Sequence, residues 1–188
     1  MRQSIKDFVQ ICAETLPWKS PVYEFGAYQC AGQEGFANLR PLFSNVPYVG
    51  CDMRPGPGVD MIQNLHAIDL PTYAAGTVIS LDTMEHVEYP HLALRECHRI
   101  LQGGGVCIIS SVMNFPIHDY PSDYWRFTPE GFRSLLSPFE TILVDSAGQE
   151  LHPHTVIGVG IKGSVHPSIM AVLQHKLQYW KSKAYIDY

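Results

Sequence analysis

The sequence predicts a three-layer α/β fold with a mostly parallel central sheet and an antiparallel strand near the C-terminal end. Three observations carry this expectation. Residues 78 to 111 read as strand, acidic turn, helix, glycine stop and strand, because Val78-Ile79-Ser80-Leu81 ends at Asp82, apolar residues recur at Leu92, Leu94, Ile100 and Leu101, and Gly103-Gly104-Gly105 precede Val106-Cys107-Ile108-Ile109. Short apolar runs around an amphipathic helix are the mark of a βαβ unit in a buried parallel sheet. Two earlier short strands each end near an acid, Glu24 and Asp52. Two late β-rich runs, Thr141 to Val144 and Thr155 to Ile161, suit an antiparallel pair.

Taken in order, residues 4 to 16 carry Ile5, Phe8, Val9, Cys12 and Leu16 at helical spacing, with Ser4 available as N-cap and Pro17 as stop. Residues 21 to 25 form a strand candidate closed by Gly26. Phe36 to Phe43 suggests a short helix that Pro41 shortens or kinks. Tyr48 to Cys51 is the second strand. Met53 to Val59 holds two prolines and two glycines and so reads as a loop or single turn. Val59 to Ile62 is a third strand, with Asn64-Leu65-His66 at its end. The aromatic and polar segment from Phe115 to Phe127 follows a central strand and reads as a site wall or lid. Thr128-Pro129-Glu130 is a helix start, with Thr128 as N-cap, Pro129 at the first position and an end near Leu136. Residues 168 to 183 present Ile169, Val172, Leu173, Leu177 and Trp180 on one helical face. That face packs on the domain or, alternatively, forms a dimer contact.

Composition narrows the function class. A chain of 188 residues with 46% hydrophobic and 16% charged content suits one globular domain spanning 1–188, with an N-terminal helix, a core over 20–162 and a C-terminal helix. The net charge is −5 and no cationic block is present, which argues against a nucleic-acid partner. No apolar run approaches the ~20 residues of a membrane span, and the first residues lack a signal-like apolar region, so no membrane partner and a cytoplasmic location are expected. Five cysteines without CxxC spacing read as buried reduced thiols. No metal site is expected, because no H-E-x-x-H or paired C-x-x-C motif is present.

Strand, loop, helix and strand ending in an acid is the first half of a nucleotide-binding α/β fold. A carboxylate at the tip of the second strand, Asp52, can accept hydrogen bonds from both hydroxyls of a ribose, although it can also be a surface turn acid. A pyrophosphate loop needs glycines at fixed offsets, but the G-x-G-x-x-G positions read Gly26, Tyr28 and Ala31. The pattern therefore fits an adenosine without a pyrophosphate, and S-adenosylmethionine is the obvious candidate.

On these residues the chain resembles the class I S-adenosylmethionine-dependent methyltransferases, with a Rossmann-like core over roughly residues 20 to 162. The family's E-x-G-x-G-x-G loop keeps Glu24 and Gly26 here but has Tyr28 and Cys30 at the later glycines. Glu85-His86-Val87, Arg95-Glu96, Arg99-Ile100-Leu101 and the triple glycine carry the most specific likeness, and His118 to Pro129 resembles a subset of bacterial members. The resemblance implies that Glu24 orients the loop and approaches the methionine amino group, that Gly26 lets backbone meet the amino-acid tail, and that Asp52 binds the ribose. Asn64 meets the adenine amino group and Leu65 offers a backbone amide to the ring. Ser80, Leu81 and Asp82 line the methionine side, with Tyr28 and Met53 in the flanking loops.

The acceptor side is more open. His86 and His118 can serve as general base for a hydroxyl or amine, or as hydrogen-bonded structural histidines. Asp119, Tyr120, Tyr124, Trp125 and Arg126 can form an acceptor pocket in which Arg126 suits a carboxylate. Arg126 can equally pair with Asp119 or Asp123 and staple the loop. The expected activity is methyl transfer to a small-molecule acceptor by a monomer or weak homodimer. The alternative is a non-catalytic S-adenosylmethionine-binding or scaffold protein with a degenerate cofactor loop, and a nicotinamide oxidoreductase is disfavoured by the missing glycines.

Overall fold

The structure, a computed structural model, describes residues 1–118 and 122–184. Strands β1 (Val22–Phe25), β2 (Tyr48–Asp52), β3 (Met61–Ile62), β4 (Ala75–Ser80), β5 (Leu101–Val112), β6 (Thr141–Gln149) and β7 (His152–Ile161) form one sheet in the order β3-β2-β1-β4-β5-β7-β6. The first five run parallel, while β7 enters antiparallel between β5 and β6. The expected mostly parallel α/β sheet with its late antiparallel strand is therefore present.

Helices α1 (Gln3–Thr15) and α4 (Pro167–Ala184) cover one face, and α2 (Pro90–Ile100) and α3 (Pro129–Leu135) the other. Alternation along the buried strands feeds the two cores. In β4, Val78 joins the α2/α3 core with Leu94, Ile100 and Phe132, whereas Ile79 joins the α1/α4 core with Phe8, Leu173 and Trp180. A strand buried on both faces must be apolar in both registers, and all six residues of β4 are buried.

Several local expectations are corrected. Ser4 is not the N-cap of α1, because that position falls to Arg2 and Ser4 is buried inside the first turn. Packing decides this: the Trp180 indole donates to the Ser4 carbonyl at 2.7 Å, drawing α4 over the helix start. The helix anticipated over 36–43 is reduced to a single 3-10 turn, Arg40–Phe43, with Pro41 near its start. Val59 lies in a turn, its N–H bonded to the Gly56 carbonyl, so β3 begins only at Met61.

The triple glycine does not stop α2. The helix ends at Ile100, Leu101 already pairs with Ala75, and the glycines form an irregularity inside β5. Gly104 adopts φ +75°, and a Cβ on Gly105 would stand 2.9 Å from the Gly76 carbonyl. Close strand approach, rather than helix termination, is what requires glycine there. The Thr128 cap is present as expected, its hydroxyl oxygen accepting from the Gly131 N–H at 3.1 Å. On α4, Leu173, Leu177 and Trp180 are buried, while Val172 and Tyr179 face solvent.

All five cysteines are free, and Cys12, Cys51, Cys97 and Cys107 are buried. No helix among the described residues is long and apolar enough to cross a membrane.

Candidate functional site

The carboxyl ends of β1, β2, β4 and β5 open into a cleft of about 590 Å³. Small-molecule sites typically measure about 300–1,000 Å³, and open α/β sheets place them at this edge. Glu24, Gly26, Tyr28, Asp52, Met53, Asn64, Leu65, Leu81, Asp82, His86, His118 and Tyr124 all line it. Ser80 does not, being wholly buried in β4. Asp119 and Tyr120 lie outside the described residues.

At the first loop, Gly26 has φ +84°, and a Cβ there would come within 2.1 Å of the Thr83 hydroxyl oxygen. The turn after β1 and the turn after β4 thus meet at a position with room only for hydrogen. Glu24, partly buried in β1, accepts a hydrogen bond from the Tyr48 hydroxyl at 2.8 Å. Burial raises its pKa to about 7, with Asp60 adding to the rise, while the Tyr48 hydrogen bond and Arg40 pull against it.

The departure from the glycine pattern at Tyr28 is accommodated within the fold. The ring turns toward the loop after β2, where a Cβ on Gly56 would meet its Cε2 at 2.2 Å and the Arg54 guanidinium lies 4.7 Å over its centroid. A glycine lost from one loop is thereby matched by a glycine in its neighbour. The Tyr28 backbone N–H is left pointing at the Asp52 carboxylate, 3.3 Å from Oδ2, while the Arg54 N–H donates to Oδ1 at 3.1 Å. Each carboxylate oxygen has a second acceptor position to offer. Asn64 Oδ1 accepts from the His66 N–H at 2.9 Å, a local turn that uses one of its two lone pairs.

Asp82 has φ +44°, and its Oδ1 accepts from the Ser110 hydroxyl at 2.8 Å. The same oxygen stands 3.9 Å from Arg2 Nη2. Arg2 also lines the cleft, as do Thr83 and Glu85. Sequence reading missed Arg2 and Thr83 as site residues, whereas Glu85 is expected beside a bound molecule from its place at the end of the strand. Glu85 stands inside the Glu85-His86-Val87 stretch, whereas nothing local marks Arg2, which lies at the start of α1 and whose Nη1 meets His154 Nδ1 of β7 at 2.9 Å.

Glu85 is almost wholly buried. Its Oε2 accepts from the Ser111 hydroxyl at 2.6 Å, while Oε1 has no hydrogen-bond partner among the described residues. Burial, followed by the Asp82 charge, raises its pKa. The His86 ring packs edge-on against His118 with centroids 4.7 Å apart, and its Nδ1 lies 2.7 Å from the Ser122 carbonyl. Burial lowers the His86 pKa, which keeps the imidazole neutral near pH 7. One ligand-type atom each from Glu85, His86 and His118 lies within 4.8 Å of the others, a convergence that no spacing motif announced.

The aromatic segment is only partly a pocket wall. The Trp125 indole donates to the Val87 and Glu88 carbonyls and does not line the cleft. Arg126 likewise does not line the cleft. It grips Asp123 with both Nη atoms, at 2.5 and 2.7 Å, and donates to the Phe115 and Pro116 carbonyls, so its donors are committed to stapling the loop. The Asp123 side chain is 3% exposed, and the Arg126 guanidinium holds its carboxyl far below the usual carboxylate range. Arg126→Ala strands that buried charge and is expected to cost about 2–3 kcal/mol in urea unfolding. Arg126→Lys, lacking the planar fork, recovers less than half of that loss.

Comparison with known proteins follows the same outline. Residues 49–109 match the family model described as a methyltransferase domain. No curated protein sequence matches the chain. Among solved structures, a Haloferax volcanii methyltransferase in complex with the Trm112 methyltransferase activator superposes with a TM-score of 0.61 at 15% identity, covering 88% of this chain and 91% of that one. A SAM-dependent methyltransferase from Thermotoga maritima gives 0.59 at 17% identity, over 84% and 91%. Another from Archaeoglobus fulgidus gives 0.62 at 12% identity, over 86% and 95%. The chain therefore has the class I, Rossmann-like methyltransferase fold.

Proposed function

We propose that this chain, a methyltransferase-fold domain, transfers a methyl group from S-adenosylmethionine to a small-molecule acceptor. The observation that carries this reading is the pairing of Gly26 with Asp52. A left-handed glycine at the end of β1 and a carboxylate with spare acceptor positions at the end of β2 face the same cleft. Those features fit the tail and the ribose of an adenosylated amino acid. The narrow seam between Gly26 and Thr83 and the absence of the further glycines fit a ligand without a pyrophosphate.

S-adenosylmethionine, when bound, supplies a methyl group already activated by its sulfonium. The protein's task is then to hold, orient and exclude water. Glu24 faces the methionine ammonium, Asp52 the ribose hydroxyls, and Asn64 and Leu65 the adenine. Leu81 and Asp82 form the floor beside the methionine side chain. His86, kept neutral by burial, and His118 stand at the acceptor end with Tyr124, where a neutral imidazole can hold or deprotonate a hydroxyl or amine. The acceptor is a small molecule, and the chain acts as a monomer or weak homodimer in the cytoplasm.

Calorimetric titration with S-adenosylmethionine and S-adenosylhomocysteine tests the reading; a folded chain that binds neither refutes it. A pH series adds a sharper check. Below its pKa of about 7, Glu24 keeps its proton and offers no charge to an ammonium; above it the carboxylate is ionised. Affinity should rise by about tenfold between about pH 6 and 8. The stability of the unliganded protein should run the other way across about pH 4.5 to 7, because the folded carboxyl retains a proton that the unfolded chain releases. Glu24→Gln should flatten both trends.

A further inference from the structure

We propose that Glu85, His86 and His118 form a binding site for a divalent transition-metal ion of the zinc or cobalt type, at the acceptor end of the cleft. Their ligand-type atoms lie within 4.8 Å of one another. Glu85 Oε1 is buried and unpartnered among the described residues, while its sister oxygen is pinned by Ser111. A carboxyl oxygen removed from water in this way is satisfied by a proton, a donor or a cation, and a bound metal ion takes the place of the proton. His86 Nε2 stands 4.0 Å from that oxygen.

The far side of each imidazole is arranged as a ligating ring requires. His86 Nδ1 lies 2.7 Å from the Ser122 carbonyl, so a proton on Nδ1 leaves Nε2 as a lone pair toward Glu85. His118 Nδ1 lies 3.2 Å from the Pro116 carbonyl and 3.3 Å from Asp123 Oδ2. Metal-binding histidines are oriented by such contacts to carbonyl or carboxylate, which fix the tautomer and raise ligand basicity. The Asp123–Arg126 staple holds the loop that supplies all three of these partners, giving that ion pair a purpose beyond stapling.

Two imidazoles and one carboxylate favour zinc or cobalt over magnesium, calcium or manganese, which prefer oxygen donors. Bonds to such ions are about 2.0–2.2 Å, so bound ligand atoms sit roughly 3 Å apart. Closure from the present spacing takes a shift of about 1 Å. His118, with 27% side-chain exposure, has the room to make it.

Three protein ligands leave coordination positions open toward the cleft, where oxygen-bearing acceptors, hydroxyls or hydroxy acids, would be selected. That choice of acceptor rests on the methyl-transfer reading, whereas the affinity for the ion does not. With the ion bound, His86 and His118 act as ligands rather than as proton acceptors.

The test strips the full chain with chelator, then titrates it with Zn²⁺ by calorimetry and with Co²⁺ by visible absorption. One equivalent should bind, with cobalt d–d bands. His86→Ala, His118→Ala and Glu85→Gln should each weaken binding at least about tenfold, and the double histidine variant should abolish it. His152→Ala, at an exposed position, should change nothing. Circular dichroism confirms that each variant is folded, and should Glu85→Gln fail to fold, the His118→Ala result decides. Absence of saturable uptake by the folded chain, or uptake unchanged in the double variant, overturns the site. S-adenosylmethionine titration of the chelated chain is the separating arm. Cofactor binding without ion uptake refutes the metal site and leaves methyl transfer standing, and ion uptake lost in the variants without cofactor binding does the reverse.

Discussion

Gly26→Val is expected to abolish S-adenosylmethionine binding and to lower the melting temperature by at least about 5 °C, as seen by calorimetry and thermal unfolding. Two costs act together. Valine at φ +84° is forced into the left-handed region, which disfavours a β-branched residue by about 1–2 kcal/mol. Its Cβ would also stand 2.1 Å from Thr83 Oγ1, a contact that cannot exist without movement.

Thr83 is not free to yield, because its hydroxyl donates to the Leu81 carbonyl at 2.9 Å and shapes the turn that carries Asp82. Relief by displacement would therefore deform both walls of the cleft at once. For a domain of this size about 1 kcal/mol corresponds to roughly 2–4 °C, so a combined cost of about 3 kcal/mol is readily measured. Thr83→Ala added to the valine chain removes the contacted hydroxyl and should return part of the stability without restoring the backbone preference. A Gly26→Val chain that binds the cofactor as the parent does would remove the left-handed glycine from the proposed site.

Asp52→Ala is expected to weaken S-adenosylmethionine about 100-fold while shifting the melting temperature little. Hydrogen bonds from two ribose hydroxyls to one charged acceptor are worth roughly 1.5–3 kcal/mol apiece before the cost of ordering. In the unliganded fold the same carboxylate accepts from the backbone N–H groups of Tyr28 and Arg54, the first of them long at 3.3 Å, and the Arg54 guanidinium stands no closer than 3.8 Å. Binding should therefore suffer more than folding. Asp52→Asn keeps one acceptor and should lie between the two. A dissociation constant within twofold of the parent value for Asp52→Ala would show that the ribose is held elsewhere.

Much of the framework was legible in the residues. Periodicity exposed the βαβ unit, because β4 is buried on both faces and can only be a short apolar run. Thr128-Pro129 announced α3 through capping chemistry that acts within one helical turn. The positions of Asp52 and Gly26 at the cleft were readable because each stands at or just past the end of an apolar strand.

The misreadings share a cause. Ser4 and the triple glycine were each assigned by local chemistry, and each was redirected by a partner distant in sequence, Trp180 for Ser4 and Gly76 for Gly105; Arg126, open in the sequence between acceptor binding and stapling, pairs with Asp123 and with the loop carbonyls of Phe115 and Pro116.

By itself, then, the sequence determined the α/β class, the strand ends and the carboxylates that stand there, since apolar period and capping are short-range properties. Only the tertiary structure decided which side chains share a space. It set Gly56 beneath Tyr28, and it brought His118 against His86 and the buried carboxyl of Glu85. Burial and mutual distance arise when separate strand ends pack together, and no spacing along the chain encodes them.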